Sequence, residues 1–123
     1  MTGKRIVLLY GFTSVRVKLI KAALSALGCG VRDVEKREYS LPVGGLAGLS
    51  GIKSEGGSGD IDGEFMVICG YSGAGLDVVL DALKMSGVGR ETLKAVLTET
   101  NASWSGPKLY NEVRAEHEAM NRG

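Results

Sequence analysis

The sequence is poor in the residues that most often carry chemistry. It has a single histidine, two cysteines, two prolines and few aromatic residues. His117 follows Leu109 and Val113 at helical spacing, so it reads as a residue at the rim of a helix face rather than a catalytic base. Cys29 and Cys69 cannot form a disulfide framework and have no metal-ligand spacing; they read as reduced thiols, and Cys69 as a small buried residue. Charge of one sign is also lacking. Fifteen Lys and Arg are scattered among 14 acids, for a net charge of +1, with none of the basic clustering that duplex binding needs. No apolar run approaches the ~20 residues of a membrane span, and Ile6–Tyr10 gives way at once to Gly11, Thr13, Ser14 and Arg16, too soon for a signal-peptide core. The expectation is a cytoplasmic protein that binds neither nucleic acid nor membrane, with no cofactor and no metal site.

What is present is the pattern of an ordinary globular chain, 44% hydrophobic and 24% charged over 123 residues. That length suits one domain spanning 1–123. Apolar periodicity predicts strands at about 5–11, 31–37, 64–70 and 93–99, and helices at about 14–27, 73–86 and 106–120. Leu19, Ile20, Ala23, Leu24 and Leu27 share one face of the first helix, which stops at Gly28. Leu76, Val79, Leu80 and Leu83 do the same in the second, which stops near Gly87. Between the second and third strands, the segment from Ser40 to Gly63 is dense in glycine. Its part at about 50–63 reads as a flexible loop, while Leu41–Leu49 has enough aliphatic residues for a short helical turn against the core.

An internal repeat recurs at an offset of 59 residues. Gly11-Phe12-Thr13 pairs with Gly70-Tyr71-Ser72, Leu19-Ile20 with Val78-Val79, Ala23-Leu24 with Ala82-Leu83, and Gly28 with Gly87. Two strand–helix–strand halves follow, whether from duplication or from shared strand–helix rules. Ile6–Tyr10 and Phe65–Cys69 are unbroken apolar runs, expected of strands covered on both faces. The segment after Gly30, with Val31 and Val34 set among charges, looks like an exposed edge. These features favour a three-layer α/β domain with a mainly parallel four-stranded sheet in the order 2-1-3-4. A ferredoxin-like α+β fold is the alternative.

Each long helix is introduced by an aromatic residue, a hydroxyl residue and an aliphatic five positions after the aromatic: Phe12-Thr13 with Val17, Tyr71-Ser72 with Leu76, Trp104-Ser105 with Leu109. This is a capped start with a hydrophobic staple. In an all-parallel sheet the three starts share the carboxyl edge, where α/β folds place ligands and where free helix N–H groups favour an anion. Thr13, Ser72 and Ser105 are therefore candidate ligand-binding residues. Gly73 and Gly75 join them, because the Gly70–Gly75 turn lets a ligand approach the backbone, although its GxxGxG spacing is not the dinucleotide fingerprint and no GxxxxGK[ST] element supports it. Glu99 and Asn101 complete the set at the end of the fourth strand, where the plainer role of Asn101 is to hold a turn.

Catalytic patterns are missing. Neither Ser72 nor Cys69 has an identifiable base, and G-x-S-x-G is absent. Asp60, Asp62 and Glu64 lack calcium-loop spacing. Asp77 with Asp81, and Glu112 with Glu116, are carboxylates one turn apart on what reads as solvated helix faces.

The segment Lys94-Ala95-Val96-Leu97-Thr98-Glu99-Thr100-Asn101, followed by Trp104, Leu109, Glu112 and Glu116, resembles the bacterial Domain of Unknown Function 3783 family over about residues 64–120. The resemblance implies a bacterial cytosolic α/β domain and supplies no catalytic residues. The expected function is a non-catalytic domain that binds a small anionic ligand or a protein partner through its strand-to-helix loops. The alternatives are a small enzyme acting on a phosphorylated or nucleotide substrate, and a structural interaction module.

Overall fold

The computed structural model describes residues 4–54, 56, 58–89 and 91–121. Four strands, β1 (Ile6–Tyr10), β2 (Gly30–Val34), β3 (Phe65–Cys69) and β4 (Leu93–Val96), alternate with α1 (Ser14–Ser25), a short α2 (Val43–Leu46), α3 (Gly73–Met85) and α4 (Gly106–Asn121). The strand order is 2-1-3-4, as the apolar runs imply: β1 and β3 are central, and every side chain of β3 is buried. β2, with alternating charges, takes one edge and exposes most of its residues.

The direction of one strand differs from the all-parallel expectation. β1 pairs with β2 in parallel and β3 with β4 in parallel, but β1 and β3 are antiparallel, with Tyr10 opposite Phe65 and Ile6 opposite Cys69. The sheet is mixed, and it is not ferredoxin-like, because β4 runs with β3 rather than against it. The cause lies in the connection after β2. It crosses one face of the sheet through α2, with Val43, Leu46, Ala47 and Ile61 buried there, and returns the chain to the Tyr10 end of β1.

The 59-residue offset is a symmetry of the fold. At the centre of the antiparallel pair, Leu8 faces Val67, and these two positions are themselves 59 apart. An approximate two-fold axis through that pair carries β1–α1 onto β3–α3. Gly11 and Gly70 both have positive φ, at 75° and 85°, as do Gly28 and Gly87 after the two helices. A Cβ on Gly11 would lie 2.2 Å from the Gly63 carbonyl oxygen, and one on Gly70 2.7 Å from that of Lys4, again positions 59 apart. Only glycine fits where each strand passes the start of its antiparallel neighbour.

Because a two-fold axis normal to the sheet preserves its faces, α1 and α3 lie on the same side. There Val17, Ile20 and Leu24 meet Val79 and Leu83 over Val7, Leu9, Met66 and Ile68. The other side is covered by α2, α4 and the return segment, packed on Leu8, Tyr10, Phe65 and Val67. The result is the expected three layers. At each helix start the aromatic and the aliphatic belong to or pack against the same core cluster, Phe12 with Val17 and Tyr71 with Leu76 on one side of the sheet and Trp104 with Leu109 on the other, as a staple requires.

The glycine-rich loop has two parts. From Gly51 to Asp60 its described residues are mostly exposed, with Glu55 and Gly57 outside the described residues. From Ile61 onward it is docked: Ile61 is buried, and the Tyr110 hydroxyl donates to the Asp62 carbonyl at 2.7 Å. The stretch that reads as a loop thus holds one buried apolar residue, Ile61, which joins the core, while Asp62 and Gly63 are exposed. No helix among the described residues is long and apolar enough to cross a membrane.

Candidate functional site

The antiparallel junction splits the expected composite site. Thr13 follows β1 and Ser72 follows β3, so the two turns lie at opposite ends of the sheet. Thr13, Ser72 and Ser105 do not form one carboxyl edge.

At the Thr13 end the polar groups are committed to structure. Thr13 Oγ1 accepts from the Arg16 N–H at 3.4 Å, capping α1. The Arg16 guanidinium forks onto Glu64 through Nε and Nη2, the second contact at 2.9 Å, and Thr92 Oγ1 donates to the same carboxylate at 3.2 Å. Arg16 Nη1 also reaches the Gly87 carbonyl at 3.5 Å. One side chain thus ties the start of α1 to the entry of β3 and the end of α3.

Ser105 and Asn101 are likewise spent. Ser105 is buried, its Oγ accepts from the Lys108 N–H at 3.3 Å, and its backbone bridges to Pro42. Asn101 is 8% exposed; its Oδ1 accepts from the Thr98 N–H at 2.9 Å and its Nδ2 donates to the Val96 carbonyl at 3.2 Å. Its own N–H donates to Thr98 Oγ1 at 3.2 Å. This closed turn is the plainer role foreseen for Asn101.

Ser72 and Glu99 come together at the other end of the sheet. Here the parallel strands β3 and β4 both terminate, and Gly70, Tyr71, Ser72, Val96, Leu97, Thr98 and Glu99 line a cavity of about 390 Å3. Above it α3 begins with Gly73, Ala74 and Gly75, all exposed. Unlike Thr13 and Ser105, Ser72 makes no cap bond through its hydroxyl. The reason is Gly73: with φ +54° it turns left-handed where a first helical residue would be right-handed, so the geometry that brings a capping oxygen to the third N–H is not set up. The Arg5 guanidinium lies 5.8 Å from the centre of the Tyr71 ring. Arg5 occupies the two-fold equivalent of Glu64, while Gly75 occupies that of Arg16. The fork that closes the Thr13 end is therefore missing at the Ser72 end, which leaves its helix start open.

Two titratable groups at the end of β3 are held in their neutral forms. Burial, with the Cys29 thiol nearby, pushes the Cys69 thiol up to about 12, far from a nucleophile at neutral pH. Burial and its contact with Cys29 likewise push the Tyr71 phenol up to about 12, so it is a neutral group. Both cysteines are free and buried. Among the described residues no cluster of three or more His, Cys, Asp or Glu side chains could hold a metal ion.

A larger cavity, about 460 Å3, lies on the outer flank of α3 and contains none of the sequence candidates. Its distinctive group is Lys94, half-buried, whose ammonium is held below its usual range by desolvation. Lys94 Nζ donates to the Gly89 and Thr92 carbonyls at 2.9 and 3.0 Å, which pins the loop entering β4. Size alone does not make it the better site, because Lys94 is already used by the fold and the exposed Lys84 shares the wall with Asp77 and Asp81.

Sequence reasoning does not single out Thr98, Leu97 or Arg5 as parts of the Ser72 site. Arg5, at the start of a strand, carries no local signal of its contact with a residue 66 positions away.

The molecule is thus a three-layer α/β domain of two strand–helix–strand halves, with an open cleft where β3 and β4 end. Residues 64–120, the segment that lines this cleft, match the model of the family described as Domain of unknown function (DUF3783). No curated protein and no solved structure matches the chain.

Proposed function

We propose that the protein is a non-catalytic binding domain whose site is the cleft between the β3–α3 turn and the end of β4. The observation that carries this reading is the convergence of Ser72, Thr98 and Glu99 on one cavity beneath an exposed helix start. The chemistry selects a small ligand with an anionic group, for the N–H groups of the first turn of α3, and a hydrogen-bond donor for the Glu99 carboxylate. A bare anion fits less well, because Glu99 repels it. The lining supplies no histidine or cysteine, and a lone carboxylate without a paired acid or base supports recognition rather than turnover. Free, buried thiols, together with the bacterial setting that the family resemblance implies, support a place in the bacterial cytoplasm.

The test is a thermal-shift screen of inorganic phosphate, glutamate, aspartate and nucleoside monophosphates, followed by calorimetry of any hit. A ligand present at about 100 times its Kd stabilises the native state by about 2.7 kcal/mol. Ser72→Ala and Glu99→Gln should remove that shift while Thr13→Ala leaves it intact. A hit that all three variants bind equally well would move the site elsewhere.

A further inference from the structure

The outer surface of the α1/α3 layer, beyond the cleft at the start of α3, leaves large apolar side chains uncovered. Val15 and Leu19 of α1 are 66% and 53% exposed, and Val78 and Met85 of α3 are 50% and 90% exposed. Leu19 and Val78 are 59 residues apart, so the approximate two-fold relates them. α1 and α3 run antiparallel, and the Arg16–Gly87 contact at 3.5 Å sets the start of one beside the end of the other. By helical spacing, Val15 and Leu19 lie on the same side of α1 as Arg16, and the corresponding side of α3 carries Val78 and Met85. These exposed apolar side chains therefore flank the seam between the two helices.

The charges on this layer break the symmetry in a definite sense. α1 carries Arg16, Lys18 and Lys21 and no acid, with Arg16 already held by Glu64. α3 carries Asp77 and Asp81 with Lys84. Lys18 and Asp77 are again 59 apart, so the two-fold places a cation on one helix where it places an anion on the other. The face has a basic half and an acidic half side by side, separated by an apolar seam.

We propose that the α1/α3 face is a homodimer interface in which each copy lays α1 on α3 of the other. Two face-to-face arrangements combine two-fold symmetry with helices aligned on helices. Turning the second copy about an axis across the helices stacks α1 on α1, lysine against lysine and aspartate against aspartate. Turning it about an axis along the helices sets Lys18 and Lys21 of each copy against the acidic α3 of its partner and closes the contact on both sides at once. Charge complementarity selects the second arrangement and a second copy as the occupant. Helices of 12 and 13 residues are about 18–20 Å long, and two of them side by side give a face on the order of 400 Å2, in the small, weak class of interfaces. The dimer should therefore be reversible, with a Kd on the order of 10–100 µM, weakening as salt rises.

Sedimentation velocity of the full chain from about 5 µM to about 1 mM at low salt, a range that brackets that Kd, tests this. The wild type should shift from monomer to dimer across the range. Lys18→Glu with Lys21→Glu makes both helices acidic, and Asp77→Lys with Asp81→Lys makes both basic; each double variant should self-associate at least tenfold more weakly. An equimolar mixture of the two, and the quadruple variant, should both recover the dimer. Leu19→Asn, at a half-exposed position, should weaken it without lowering helix content by circular dichroism. A wild type that stays monomeric throughout overturns the proposal, as does a dimer indifferent to both charge variants. Failure of the quadruple variant to recover would overturn the α1-on-α3 arrangement.

Discussion

Replacing Gly70 with alanine should be far more costly than a left-handed glycine would suggest by itself. Two effects add. At φ +85° an L-residue pays about 1 kcal/mol of backbone strain. In addition, the new Cβ would sit 2.7 Å from the Lys4 carbonyl oxygen and 3.1 Å from the Arg5 Cα. Those are backbone atoms at the start of a central strand, so the contact can be relieved only by prising β1 from β3, and overpacking of this kind costs about 1–3 kcal/mol. The expected loss is about 2–4 kcal/mol, a large share of the stability of a domain this size. Gly28→Ala is the control: its φ is +70° but nothing lies within 4 Å of the added Cβ, so it should lose about 1 kcal/mol. Gly11→Ala, the two-fold mate, should be at least as damaging as Gly70→Ala, because its Cβ would stand 2.2 Å from the Gly63 carbonyl oxygen. Urea unfolding followed by circular dichroism, with m-values compared to exclude a change in the denatured state, gives the three numbers. If Gly70→Ala falls within 0.5 kcal/mol of Gly28→Ala, on the order of additive error, the close antiparallel approach of β1 and β3 is wrong.

Further outcomes follow from the site assignments. Asn101→Ala should lower stability by about 1–2 kcal/mol, less than a fully buried network would lose because Val96 lies on an edge strand open to water; ligand binding should survive, and loss of binding at unchanged stability would make Asn101 a recognition residue. Thr13→Ala should cost on the order of 1 kcal/mol through its lost cap, whereas Ser72→Ala should be close to neutral in unfolding experiments, since its hydroxyl caps nothing. Gly75→Ala should stabilise α3 by about 0.5–1 kcal/mol, as its Cβ would meet only the Tyr71 ring edge at 3.6 Å; a destabilised variant would contradict the open helix start. The Cys69 thiol, raised in the fold from an ordinary 9.0 to about 12 by burial, contributes stability that is fully present below about pH 9 and is lost as pH rises toward 12, and the raised Tyr10 phenol acts in the same direction. The melting temperature should fall across that window, and Cys69→Ala should flatten the fall.

Much of this was legible from local pattern. Unbroken apolar runs at Ile6–Tyr10 and Phe65–Cys69 identify the central strands, the charged Val31–Val34 stretch identifies an edge, and glycines at 28 and 87 end their helices where the chain must turn left-handed. The relative direction of β1 and β3 was not legible, because alternation of side chains is the same in either direction. It is decided by where the return segment re-enters the sheet, through Val43, within the stretch that reads as a helical turn against the core, and Ile61, which looks like a loop residue in sequence. That single reversal separates Thr13 from Ser72. At the candidate site, Ser72 and Glu99, which line one cavity, both stand out in sequence because strand ends and helix starts carry local signals. The uncapped hydroxyl does not, because it depends on the φ of Gly73, and neither does Arg5, whose partner is distant in the chain. The 59-residue repeat held more than it first showed: its offset places Leu8 opposite Val67 and so already contains the two-fold.

The central claim, that recognition occurs where β3 and β4 end and not at the opposite edge, is tested most directly by backbone amide chemical shifts. In a titration of 15N-labelled protein with inorganic phosphate, glutamate and a nucleoside monophosphate in turn, at least one probe should give saturable shifts at Gly70–Gly75 and Val96–Glu99, with Thr13–Arg16 unmoved. Saturable shifts centred on Thr13–Arg16, or none with any of the three probes, would contradict it.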